Sequence, residues 1–382
     1  MLTARQDMAH RTKLQAVRRE LGYSTGTVLR LLAERAAARN VAIMTPASLK
    51  TKLSRWENGH EAVGLADYRR LFREVYGRTN AELGFPDEGA GPAEELRARL
   101  ATARSVDAAS VEAFRSVLDH VRRLDRQFGA VAQLDQLRAH IAQVEGLLTH
   151  APADSRRAAL AGTLAEAAAL AGWQALDRAD LDQAWQRHEQ AKHAAHEAMA
   201  PHLLAHATAQ QAYVLVALDE TAAAAEQVAH ARSLTEGGTP LMRAWLAAAH
   251  GEMLAADGNR DAALRAFDTA ESLLPADPVD PTLPFLFLGG AHLARWRGSA
   301  LAQLGDGEAI DHLTGALSRL PASWVRARSG LLVDLAHAHA AAGDRDAAVE
   351  CARQARATAR QISSDRQLRR LDRLVLPRAR AA

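Results

Sequence analysis

Three columns of small residues, held in fixed register along the chain, constrain its fold more than any other feature. Gly172, Ala212, Gly251, Gly298 and Ala336 form the first column. Ala184, Ala224, Ala263, Ala309 and Ala348 form the second, and Ala191, Ala231, Ala270, Ala316 and Ala355 the third. The first-to-second interval is 12, 12, 12, 11 and 12 residues, and the second-to-third is always 7. Two antiparallel helices approach closely only where the facing residues are small, and stacked pairs bury a core that no single pair could bury alone. With 86 alanines in 382 residues, one column could arise by chance, but three in register could not. Aromatic residues make up 4% of the chain, and strand-favouring types are scarce. The expected fold is all-α, with a solenoid of helix pairs, and a sheet-based enzyme fold is not expected.

The best-formed unit runs from Leu254 to Phe267, followed by Ala270 and Pro275. Its Ala-x₃-Phe spacing and closing proline resemble the second half of a tetratricopeptide repeat. Gly258, Gly305 and Gly343 mark the turn within a pair, while the first two units carry Ala179 and Asp219 there. The step from Ala263 to Ala309 is 46 residues against 39 or 40 elsewhere, and the proline-rich insertion around 276–284 accounts for it. Five repeats span 157–375, with a tail at 376–382. Before them, 93–156 reads as connecting helices (93–104, 106–128 and 131–149) that serve dimerisation or act as atypical capping repeats. On the second of these, Phe114, Leu118, Val121, Leu124 and Phe128 form an apolar stripe.

The net charge of +2 conceals a division. Residues 1–85 carry 15 Lys and Arg against 8 Asp and Glu, and residues 86–382 carry 32 against 37. A basic segment joined to a mildly acidic body points to a nucleic-acid partner for the first part alone. Between them, the breaker-rich Phe85–Pro92 stretch marks a linker at 86–92.

Within the basic segment, Thr45-Pro46 supplies a helix N-cap and a proline at the first helical position, and Asn58-Gly59 supplies a stop. Leu49, Leu53 and Trp56 share the core face. Ser48, Lys50, Thr51, Lys52, Ser54 and Arg55 supply polar and cationic groups on the rest of the helix, the arrangement that reading double-stranded DNA in the major groove requires. The run Leu53-Ser54-Arg55-Trp56-Glu57-Asn58-Gly59 resembles the end of the recognition helix in lambda-repressor-like (xenobiotic-response-element) helix-turn-helix regulators. Helices over 14–21, 27–38 and 65–76 and the close at 82–85 agree with that resemblance. Together with the repeats, the whole chain resembles actinobacterial regulators that join such a domain to tetratricopeptide repeats. The resemblance implies that Lys50, Thr51 and Ser54 face bases and that Arg55 meets a phosphate or a base. The stretch between the second and third helices is about ten residues longer than in that family, and the glutamine that often opens the second helix is replaced near Gly26-Thr27.

Other motifs carry less. Gly22-Tyr23-Ser24-Thr25-Gly26 matches a nucleophile elbow, but helices flank it, so it reads as an interhelical turn. His188, His193, His196, His202 and His206 cluster in sequence; His193/Glu197 or His202/His206 would give i,i+4 ligand pairs, but solvated histidines on helix exteriors are the expected reading. No metal site, cofactor or catalytic constellation is expected. The single Cys351, the lack of an apolar signal-peptide core and the absence of a long apolar run lead to the expectation of a cytoplasmic protein with no membrane partner.

In such arrays the first helix of each pair lines a concave groove. In this register the groove holds Glu166, Trp173, His206, Gln210, Tyr213, Trp245, Glu252, His292, Arg295, Trp296, Ser299, Asp334 and His337. Tryptophans, a tyrosine and Arg295 on one surface suit a small aromatic or carboxylate-bearing effector or a peptide end. Peptide-sensing relatives implied by the resemblance hold backbones with groove asparagines, and none of the four asparagines here falls in the groove. The expected function is sequence-specific transcriptional regulation as a homodimer, with an effector changing the dimer geometry. The alternative is a repeat-based adaptor whose N-terminal domain docks on another protein.

Overall fold

The computed structural model describes residues 12–39, 41–86, 92–289 and 291–378, and every regular element among them is helical. Residues 87–91 of the expected linker and 379–382 of the expected tail lie outside the described residues. Two compact units divide between Ala98 and Arg99.

The first unit holds α1 (Lys13–Glu20), α2 (Thr25–Ala38), α3 (Pro46–Glu57), α4 (Ala66–Tyr76) and a short α5 (Asn80–Leu83). Its helix starts follow capping chemistry: Thr12, Ser24, Thr45 and Thr79 each accept a backbone N–H, and Thr79 forms a reciprocal capping box with Glu82. Ser24, the centre of the elbow-like motif, is thereby the N-cap of α2. The core gathers Leu14, Val28, Leu32, Leu49, Leu53, Trp56, Leu71 and Phe72. Trp56 lies 5.2 Å from Tyr68 and edge-on to Phe72 at 5.9 Å. α6 (Pro92–Arg104) contains the division between the units.

The second unit continues with α7 (Ala108–Phe128), a 3₁₀ turn (Val131–Gln133), α8 (Leu134–His150), and then five helix pairs. These are α9 (Ser155–Asp177) with α10 (Leu181–Glu197), α11 (Pro201–Ala217) with α12 (Thr221–Ser233), α13 (Pro240–Ala256) with α14 (Arg260–Leu273), α15 (Ala291–Gln303) with α16 (Ala309–Arg319), and α17 (Val325–Ala341) with α18 (Arg345–Gln361). α19 (Asp365–Asp372) follows.

The small-residue columns are the contact lines of these pairs. All ten alanines of the second and third columns are at most 1% exposed. A Cβ on Gly172 would stand 2.7 Å from the His188 ring, and one on Gly251 2.7 Å from Phe267. The turn within each pair places one residue at positive φ: Ala179 (56°), Asp219 (65°), Gly258 (77°), Gly305 (70°) and Gly343 (81°). The two units without glycine thus adopt the same turn with residues that carry a Cβ.

Consecutive first helices stack side by side, α9 on α11, α11 on α13, α13 on α15 and α15 on α17. The stack curls far enough for α17 to meet α7, while α19 fits against both α17 and α9. The insertion after α14 turns inward: Leu283, Leu286 and Leu288 are buried, and Phe285 lies 4.4 Å from His206. Along α7 the expected stripe holds at Leu118 and Val121, but Phe128 is 48% exposed at the helix end. Arg122 and Asp125 are buried on α7, because the curl gives that helix a polar interior to face as well as an apolar one.

Candidate functional site

On α3 the apolar side and the polar side separate as the residue spacing requires. Leu49, Leu53 and Trp56 are at most 5% exposed, each burial contributing about 1.5–3 kcal/mol. The C-terminal end of α3 is fixed by a buried ion pair, in which Arg18 Nη2 donates to Glu57 Oε2 at 2.9 Å and Nη1 donates to the Tyr23 carbonyl at 2.9 Å. Thr12 Oγ1 donates to the Glu57 carbonyl at 2.8 Å. A forked guanidinium–carboxylate contact fixes direction as well as distance, so α3 is held rigidly against α1.

Ser48, Lys50, Thr51, Ser54 and Arg55 all lie exposed on the opposite side. Lys50 has no ion-pair partner among the described residues. Thr51 Oγ1 donates to the Ala47 carbonyl at 3.3 Å, and Ser54 Oγ accepts from Asn58 at 3.3 Å, so both hydroxyls keep free capacity. Lys52 differs from the others. It is half-buried and donates to Glu61, which also draws in Arg55 at 3.4 Å. These two cations hold the Glu61 carboxyl below its ordinary range. The expected set is therefore brought onto one helix, but Lys52 spends its charge within the unit. Glu61, four residues past the helix end, gave no signal in a motif-based reading.

The connection from α2 to α3 covers residues 39–45, with Arg39 forming an ion pair to Glu74. Met44 N–H donates to Tyr68 Oη at 2.7 Å, fixing the approach to Thr45.

The expected groove of the second unit is largely closed, since the curl brings its walls together. Tyr213, Trp245, Trp296, His206, Glu252 and His292 are buried, and Trp173, Gln210, Arg295 and His337 are partly so. The aromatic residues meet one another: Trp173 and Tyr213 edge-on at 5.6 Å, His206 and Trp245 at 5.0 Å, Trp245 and Trp296 at 5.8 Å. His292 lies instead against Trp324 at 4.6 Å, and His337 faces the Arg370 carbonyl at 3.2 Å.

Charged side chains fill the same interior. Arg122 joins Glu166 at 2.5 Å, Arg326 spans Asp125 at 2.7 Å and Asp177 at 3.2 Å, and Arg370 holds Asp334, which also accepts from Ser299. Tyr213 Oη donates to Glu252, whose carboxyl burial pushes upward. Arg366 of α19 stands 5.5 Å from the Trp173 ring centre and 5.9 Å from that of Tyr213. Arg122, Asp125, Arg326 and Arg366 were missed by the register of first helices, because three come from the α7 and α19 closure and Arg326 from the opening turn of α17.

The histidine cluster separates in three dimensions. His193 and His196 are exposed, but His188 and His206 are buried, contrary to the reading of solvated helix exteriors. His188 lies beneath Gly172, where the glycine leaves room for its ring. No three His, Cys, Asp or Glu side chains among the described residues are placed to hold a metal ion. Among those residues, too, no helix is long and apolar enough to cross a membrane.

Comparison with protein-family models, with curated proteins and with solved structures gives no match.

Proposed function

We propose that the chain is a sequence-specific DNA-binding regulator, with α3 reading the major groove and the repeat unit sensing an effector. The observation that carries this reading is α3 itself: a capped helix, clamped from behind by Arg18–Glu57, that presents Lys50, Thr51, Ser54 and Arg55 to solvent in one row. Phosphates and base edges are recognised by such donors when the helix behind them does not move. Two copies acting on paired half-sites would supply the affinity that one short helix lacks. The test is footprinting of the wild type and of Lys50→Ala/Arg55→Ala across a salt series. Wild-type binding that is sequence-selective and weakens with salt supports the reading, and a footprint unaltered by the double substitution removes α3 from it.

A further inference from the structure

Of five buried or partly buried arginines in the curl, three have carboxylate partners, but two do not. Arg122, Arg326 and Arg370 each hold an acidic side chain. Arg295 and Arg366 make no hydrogen bond or ion pair among the described residues, and Arg295 Nε is sealed from solvent without a partner. Glu252 faces both guanidiniums and Asp177 faces Arg366, but Glu252 is taken by Tyr213 Oη, and Asp177 by Arg326 and Ser364. Burial pushes the Glu252 carboxyl towards its neutral form. The Gln210 carbonyl oxygen, one turn before Tyr213 on α11, is also buried without a donor. An uncompensated cation inside a protein is costly, and the usual resolution is a counter-charge. Aromatic rings stand beside the two guanidiniums: Trp173 and Tyr213 by Arg366, Trp296 at 6.0 Å from Arg295.

We propose that Arg295 and Arg366 together bind a small aromatic carboxylate, with its ring against Trp173 and Tyr213. A carboxylate accepts the parallel N–H pairs that each guanidinium offers. A planar ring can stack against aromatic faces, which a flexible aliphatic acid or an inorganic anion cannot do. α15 and α19 supply the two arginines, so the ligand would join the middle of the array to its closing helix. As a statement of what the effector is, the proposal rests on the regulator reading. As a statement of binding it does not, so binding is measured without DNA.

The experiment titrates the full chain with benzoate, salicylate and indole-3-acetate, reading tryptophan fluorescence and heat. Benzamide, of benzoate's shape without its charge, and inorganic phosphate are the controls. Saturable binding is expected for at least one of the three acids, and neither control should saturate over the same range. Arg295→Gln and Arg366→Gln should each weaken that acid at least tenfold. No saturation by any of the three acids, or phosphate binding as tightly as they do, overturns the assignment. Thermal melting without ligand provides the second readout. Arginines kept for a ligand leave the melting temperature unchanged or raised when replaced by glutamine, whereas a fall of several degrees would show that they are structural. Failure to bind DNA would leave these outcomes untouched and would count against the regulator reading alone.

Discussion

Ser364 Oγ donates a 2.6 Å hydrogen bond to Asp177 Oδ1, joining the start of the last helix to the end of the first repeat helix across 187 positions of sequence. The same carboxylate lies 3.2 Å from Arg326, which also reaches Asp125 at 2.7 Å. α7, α9, α17 and α19 thus meet at one buried ionic cluster, where an open array would have free ends.

That cluster sets a first prediction. Arg326→Met leaves two buried carboxylates without the cation that bridges them, and removing one partner of a buried pair costs about 3–5 kcal/mol. Urea unfolding should show the midpoint falling accordingly. The triple variant Arg326→Met/Asp125→Asn/Asp177→Asn should recover most of the loss.

The turns within the pairs give a second. Ala179 and Asp219 hold φ at 56° and 65°, a region where a Cβ is disfavoured by about 1–2 kcal/mol. Ala179→Gly and Asp219→Gly should each stabilise by about 0.5–1 kcal/mol, once the greater freedom of glycine in the unfolded chain is subtracted. Equilibrium unfolding of the single variants decides it, and unchanged midpoints for both would mean that these turns carry no strain.

Glycines on helices should divide by what faces them. Gly172→Ala and Gly251→Ala drive a methyl into His188 and Phe267, both at 2.7 Å, and should cost about 1–3 kcal/mol. Gly146 and Gly315 have nothing within 4 Å of the added carbon. Their alanine variants should be more stable by about 0.5–1 kcal/mol on helix propensity alone.

Stability should also fall on acidification. Burial holds His188 and His292 down to about 3 and His250 to about 4, with Lys192, Arg295 and Arg232 adding to the effect at the respective sites. An unfolded histidine titrates near 6.5, so between that pH and the depressed value the unfolded state binds a proton that the folded state refuses. The buried His188 and His292 therefore each remove about 1.4 kcal/mol per pH unit as the pH drops through that window, and the more accessible His250 removes less. Melting temperatures from pH 7 to pH 4 should show the decline, and His188→Gln should flatten the slope.

On α3 the contrast between neighbours is the informative measurement. Lys50 should contribute about one unit to the salt slope of DNA binding, since a phosphate contact releases about one counter-ion. Lys52, already engaged by Glu61, should contribute less, and Glu61→Gln should raise its share. Equal slopes for Lys50→Ala and Lys52→Ala would show that Glu61 does not hold Lys52 back.

Much of the helical framework was legible because small residues are dictated by contact distance. A column that must pass within van der Waals reach of a neighbouring helix leaves little choice beyond Gly and Ala, and each column residue lies on the helix where the register placed it. The core side of α3 was legible for a related reason, since Leu49, Leu53 and Trp56 recur at helical spacing. The interior of the curl was not. Whether the array closes depends on small rotations accumulated over five pairs, and no single residue encodes them. His188 was misjudged because its burial depends on Gly172, sixteen positions earlier on another helix. Arg366 was invisible because α19 lies beyond the last column.

Open arrays of this kind can gain or lose a unit at either end with little consequence for the rest. This one cannot: a sixth pair would carry α19 past Asp177, and an array of only four would leave it short. The number of repeats is therefore fixed by geometry, as the number of staves is fixed in a barrel. Insertions should be tolerated between consecutive pairs, as the segment around 276–284 already shows, but not as whole pairs.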